Sequence, residues 1–88
     1  METYTFYCDP GHSWLKVSKE EIKPIKDQIS PYSYMNGGFV YLEEDCDAAV
    51  FLIHKFGSIE NARNHIKDVH TNNRSQIRNY ESYNPTKI

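Results

Sequence analysis

The 88-residue chain predicts an α+β fold: two β-hairpins forming a small antiparallel sheet, packed by two or three helices. Three observations carry that expectation. E-T-Y-T-F-Y-C (2–8) and S-W-L-K-V (13–17) flank the turn-forming D-P-G-H. P-Y-S-Y-M-N-G-G-F-V-Y-L (31–42) sets Asn36-Gly37 between alternating aromatics. D-C-D-A-A-V-F-L-I-H-K-F (45–56) is an apolar run that closes on Gly57.

In the first strand Thr3, Thr5 and Tyr7 point one way and Tyr4, Phe6 and Cys8 the other, a period of two. Asp9-Pro10-Gly11 supplies turn chemistry, so the second strand pairs back on the first. S-K-E-E (18–21) is a capping box that opens a short helix. Pro24 removes a donor and clashes with the preceding turn, so this helix is expected to kink or end by about Gln28.

Asn36-Gly37 then provides the positive φ angles of a tight hairpin. A central helix is expected to start near Asp45 or Asp47 and to stop at Gly57, a natural C-terminal cap. Its apolar residues cover most of the circumference, which points to burial. Ser58 would cap a last helix over 59–70, with Ile59, Ala62, Ile66 and Val69 as its apolar stripe and Asn72-Asn73 as its end. The order is strand–strand–helix–strand–strand–helix–helix. Residues 1–72 form the compact domain. Residues 73–88 are an ordered arm or a frayed tail, with Ile77, Tyr80 and Tyr83 as anchors.

A chain this short buries about 60–65% of its unfolded surface, leaving room for little more than one functional face. Twelve aromatics, seven of them Tyr, add large buried areas to a small core. No stretch approaches a membrane span, no signal-peptide pattern opens the chain, and two cysteines make no disulfide framework. A cytoplasmic location is therefore expected. The net charge of −2 is unevenly spread: nine acids and four lysines leave residues 1–50 at −5, and residues 51–88 stand at +3. Such polarity favours a charged partner or self-association as a homodimer.

Glu43, Glu44, Asp45 and Asp47 surround Cys46. Acids are favoured at helix starts, which accounts for two or three of them without any function. Beyond that, they offer an acidic docking edge, extended by His12 and Trp14 on the first turn. The same anions oppose a reactive thiolate at Cys46. Zinc ligands are conceivable at Cys8, His12 and Cys46, but no paired C-x-x-C is present. No nucleophile elbow and no glycine-rich phosphate loop occurs, so neither an enzyme nor a cofactor is expected. The C-terminal Arg74, Arg78, Tyr80 and Tyr83 supply the alternative of nucleic-acid binding, arginine to phosphate and tyrosine to base.

D-P-G-H-S-W-L-K-V, I-S-P-Y-S-Y, V-Y-L-E-E-D-C-D-A and H-T-N-N-R-S-Q-I-R-N-Y together resemble an uncharacterised family of small proteins carried by phages and plasmids. The resemblance spans nearly the whole chain and brings no catalytic residues. It implies an accessory protein that binds a host or defence-system protein, including as an inhibitor of restriction or CRISPR systems.

Overall fold

The computed structural model describes residues 3–88; Glu2, at the head of the first predicted strand, lies outside them. Six strands form one mixed sheet in the order β5-β1-β2-β4-β3-β6. Both predicted hairpins are present. β1 (Tyr4–Cys8) pairs antiparallel with β2 (Ser13–Ser18), and β3 (Tyr34–Asn36) with β4 (Phe39–Glu43). β2 and β4 then join the hairpins antiparallel, setting Trp14 opposite Glu43 and Lys16 opposite Tyr41. The second hairpin turns at Gly37-Gly38, with Gly37 at φ 60°; the expected Asn36-Gly37 turn is corrected by one residue, because Asn36 has no positive φ and still pairs with Phe39.

The capping box forms as expected: Ser18 Oγ accepts the Glu21 N–H at 3.3 Å and opens α1 (Lys19–Ile22). One helical turn later the chain passes into a 3-10 segment, Lys23–Gln28, with Pro24 in its first turn. α2 (Ala48–Phe56) ends at Gly57, whose φ of 85° allows its N–H to reach the Ile53 carbonyl at 2.8 Å. This helix is buried on one side only, by Ala48, Phe51 and Leu52, while Ile53 faces outward. Phe51 is fully buried in the main core, so the helix is central to it as expected.

The predicted last helix is the main departure. Ser58 does cap a helix, but α3 runs only Ile59–Ala62 and a 3-10 turn, Arg63–His65, follows. β5 (Ile66–His70) then lies parallel to β1, with Tyr4 opposite Ile66 and Cys8 opposite His70. The physical reason is twofold. Asn64, His65, Asp68, Val69 and His70 are weak helix formers, and pairing gives the outer edge of β1 a partner for its backbone groups. The supposed stripe is split, with Ile66 half-buried and Val69 exposed.

Period-two alternation gives the sheet two unlike faces. Leu15, Val17, Val40, Leu42 and Met35 face the helices and join Ile22, Phe51, Leu52 and Ala62 in the main core. Tyr4 meets Phe51 edge-on there, with ring centroids 5.3 Å apart. The opposite face carries Tyr7, Trp14, Lys16, Tyr34, Phe39, Tyr41 and Glu43, by register. Residues 73–88 are packed against the domain. β6 (Glu81–Ser82) pairs with β3, Tyr83 enters the main core, and Ile77 forms a second small core with Trp14 and Tyr41. The 3-10 turn Gln76–Asn79 therefore crosses the face that the helices leave open. No helix among the described residues is long and apolar enough to cross a membrane.

Candidate functional site

A cleft of about 320 Å³ opens on one flank of that crossing segment. The first turn builds one wall. Asp9 Oδ1 accepts the N–H groups of Gly11 and His12 at 2.9 and 3.0 Å, which curls the turn and brings His12 to the rim. β2 then places Trp14 on the floor, 2% exposed. The Tyr34 ring meets Trp14 edge-on at 6.3 Å, and Tyr32, 71% exposed, stands at the mouth.

The acidic wall comes from the end of β4. Glu43 is only 9% exposed, and its Oε2 accepts the N–H groups of Asp45 (3.1 Å) and Cys46 (3.0 Å). Its Oε1 lies 3.8 Å from His12 Nδ1, beyond hydrogen-bond reach. Glu44 and Asp45 are exposed, and Asp45 lines the cleft beside Cys46. A hydrogen bond to Glu43, then burial and the neighbouring Glu43, Asp47 and Asp45 charges, push the Cys46 thiol up.

Asp47 does something else. It occupies the N-cap position of α2, yet its carboxylate caps no helix amide. It is buried and accepts from Ser30 N–H (3.0 Å), Ser30 Oγ (2.6 Å) and Ser33 Oγ. Ser33 Oγ in turn accepts the Glu43 N–H at 2.9 Å. The four acids thus divide: Asp47 ties the 30–33 loop to α2, Glu43 shapes the turn after β4, and Glu44 and Asp45 alone face outward. The helix-start explanation of these acids is corrected at Asp47, because two serines 14 and 17 residues away outbid the local amides.

Arg78 completes the cleft from the C-terminal segment. Its guanidinium lies 5.1 Å from the Trp14 ring and is held by Asp9, so its charge is met within the fold. The residues singled out for nucleic acid therefore separate. Arg78 lines this cleft, and Tyr80 packs on Tyr41 at 5.1 Å. Arg74 is exposed and donates to Asn79 Oδ1 at 3.0 Å. Tyr83 is buried in the main core, its hydroxyl donating to the Lys26 carbonyl, and burial pushes that phenol up to about 12. A ring so placed cannot stack on a base.

Cys8, His12 and Cys46 do not converge as a ligand set. Cys8 is half-buried, its thiol 3.9 Å from the Phe6 carbonyl. The group among the described residues whose donor atoms lie within 4.8 Å of one another is His12, Glu43 and Asp45. One imidazole and two carboxylates suit a divalent first-row ion, and the Cys46 thiol lies in the same cleft.

His12, Trp14, Glu43 and Asp45 of the expected docking edge meet in one cavity with Cys46, read as a thiol or zinc ligand, and Arg78, read as a nucleic-acid contact. Tyr32 and Tyr34 were not anticipated as site residues. Their signal was the Y-x-Y spacing of P-Y-S-Y, which reads equally well as hairpin flank. Comparison of the chain with protein-family models, with curated proteins and with solved structures gave no match.

Proposed function

We propose that the protein is a small, non-enzymatic interaction protein that seats a basic side chain of a partner protein in the Trp14 cleft. The observation that carries this is one cavity lined both by aromatic rings (Trp14, Tyr32, Tyr34) and by carboxylates (Glu43, Asp45), with Trp14 and Glu43 directly opposite each other on neighbouring strands. Aromatic faces attract cations, and a partly desolvated carboxylate strengthens the hold. Arg78 over Trp14 is an internal example of the same contact. Because Asp9 meets the Arg78 charge, the cleft keeps its acidic balance for an incoming lysine or arginine. Tyr32, large and exposed at the mouth, has the character of an interface anchor.

The resemblance to phage- and plasmid-borne proteins supports the rest of the reading. The partner is a host or defence-system protein, met in the cytoplasm of the host cell and bound stoichiometrically, with inhibition as the outcome.

Tagged protein is used to capture partners from host lysate in the presence of nuclease, and the partner recovered is titrated. Asp45→Lys and Tyr32→Ala touch exposed side chains, so their melting temperatures should match the wild type. Each should weaken the partner by tenfold or more, the loss of about 1.4 kcal/mol or more. A partner whose affinity both variants leave unchanged does not use this cleft, and the reading falls.

A further inference from the structure

The other flank of the crossing segment carries a second site. We propose that it binds single-stranded nucleic acid, with Tyr7, Phe39 and Tyr80 taking bases and Lys16 taking the phosphate between them.

Register places Lys67, Thr5, Lys16 and Tyr41 in one row across the sheet, on the face away from the helices. Tyr7 and Val69 lie in the next row. Helices do not cover this part. Phe39 is 40% exposed, Val69 and Lys67 are exposed, and Tyr7 and Lys16 are half-exposed.

Two cavities indent the surface. One, of about 290 Å³, is lined by Phe39, Tyr7 and Lys16. The other, of about 320 Å³, is lined by Tyr7, Tyr41, Tyr80 and Lys16, with Ser75 and Gln76 at its polar side. Lys16 and Tyr7 belong to both. Two aromatic-walled hollows with one shared cation match a dinucleotide step, in which two flat bases share one phosphate. Lys16 Nζ lies over the Phe39 ring, 4.1 Å from its centroid, so a base taking that face displaces the ammonium from the ring toward the phosphate.

Charge on this flank favours a polyanion. Lys16 and Lys67 face it, whereas Glu43 lies across the crossing segment in the other cleft. Glu21 borders the smaller hollow as an opposing charge; the Ser18 and Tyr4 hydroxyls donate to its carboxylate, and Lys55 Nζ, 4.0 Å away, offsets it. Bases stack on such rings with little regard to sequence, so single strands are the ligand class. A duplex keeps its bases stacked inside and offers these rings nothing.

The test is fluorescence anisotropy with labelled ten-residue oligothymidine and oligouridine against a duplex of equal length. Single strands should bind at least tenfold more tightly than duplex. The logarithm of affinity should fall with the logarithm of salt, with a slope of about −0.7 per phosphate neutralised. Lys16→Glu and Phe39→Ala should each reduce single-strand affinity about tenfold or more. Asp45→Lys, which disables the other cleft, should not reduce it. The proposal is overturned if neither single strand binds at low salt, if duplex binds equally well, or if both variants bind like wild type. Should either variant lose its fold, wild-type amide shifts on adding oligothymidine decide. Shifts confined to Tyr7, Lys16 and Phe39 support the site, and shifts confined to His12 and Asp45 refute it.

Discussion

The Asp9 carboxylate holds the Arg78 guanidinium by two parallel hydrogen bonds, Nε to Oδ2 at 2.7 Å and Nη2 to Oδ1 at 2.9 Å. The same carboxylate accepts the Ser75 N–H at 3.0 Å and the amides of its own turn, and its side chain is 1% exposed. One side chain from the first hairpin thus fastens a segment 69 residues later. That clasp keeps residues 75–79 across the sheet and so creates the separation between the two clefts.

The first prediction is a pH dependence. The Arg78 hydrogen bonds, then the Ser75 amide, hold the Asp9 carboxyl well below the usual carboxylate range. A group depressed in the folded state stabilises fully above its unfolded value, about 3.9 for Asp. Below that pH the unfolded chain takes up a proton that folded Asp9 refuses, and the advantage drains as pH falls further. Melting temperature should therefore decline below about pH 4. In Asp9→Asn the whole curve should lie lower, with a shallower acid limb. A mutant and a wild type with parallel acid limbs would show that Asp9 is not the titrating group.

The hairpins were legible because their signals are local. The N-G-G run marks a turn close to where it forms, at Gly37-Gly38 and one residue past the expected Asn36-Gly37, and alternation from Tyr4 to Cys8 needs no distant partner to be recognised. The 59–70 segment misled for the converse reason. Ile59, Ala62, Ile66 and Val69 fall at helical spacing, and nothing local reveals that the edge of β1 is waiting for a strand. Asp47 shows the same limit at a single residue, since an acid beside a helix start looks like a cap whatever it contacts. The cleft was legible in part: His12, Trp14, Glu43 and Asp45 were expected on one docking edge, whereas Arg78 joins them only through its long-range pairing with Asp9. Glu43, by contrast with Asp45, is buried and cannot be changed as a surface residue. As lysine it would lose the bonds that shape 43–46, which is why Asp45 is the residue to change.

Ser33 carries a second prediction. Fully buried, its hydroxyl donates to Asp47 and accepts from the Glu43 amide, linking β4 to α2, while its carbonyl accepts the Tyr83 N–H at 2.8 Å. Ser33→Ala removes the hydroxyl and leaves one buried donor and one buried carboxylate short of a partner. The expected cost is about 1–3 kcal/mol. At about 4–8 °C per kcal/mol for a domain of this size, melting should fall by several degrees at least. A change below 1 °C would mean that water replaces the hydroxyl without loss.

The glycines offer a paired prediction. Gly57 caps α2 at φ 85°, a conformation that costs a residue with Cβ about 1–2 kcal/mol. Gly38, in the second hairpin turn, has no positive φ, and an added Cβ meets nothing within 4 Å. Gly57→Ala should lower the denaturation midpoint, and Gly38→Ala should leave it unchanged or raise it slightly by restricting the unfolded chain. Equal effects at both positions would contradict the left-handed cap.

Cys46 tests the electrostatics of the cleft most directly. It is exposed, so access does not limit its chemistry, yet its thiol is raised by the Glu43 hydrogen bond, by burial and by neighbouring anions. Only the thiolate attacks an alkylating reagent. Iodoacetamide should therefore modify Cys46 more slowly at pH 8 than it modifies a free thiol, with the rate climbing steeply toward higher pH. Asp45→Asn removes one opposing charge and should speed the reaction. A basic peptide or a zinc ion in the cleft would act in the same direction electrostatically but cover the sulfur. Added to wild type, either should slow alkylation if it enters, and neither should affect Cys8, whose half-buried thiol is set apart from His12, Glu43 and Asp45. Mass spectrometry of the two cysteine peptides separates the rates. Cys46 reacting as fast as a free thiol at pH 8 would mean that the carboxylates do not converge on it, and the acidic wall of the cleft would have to be redrawn.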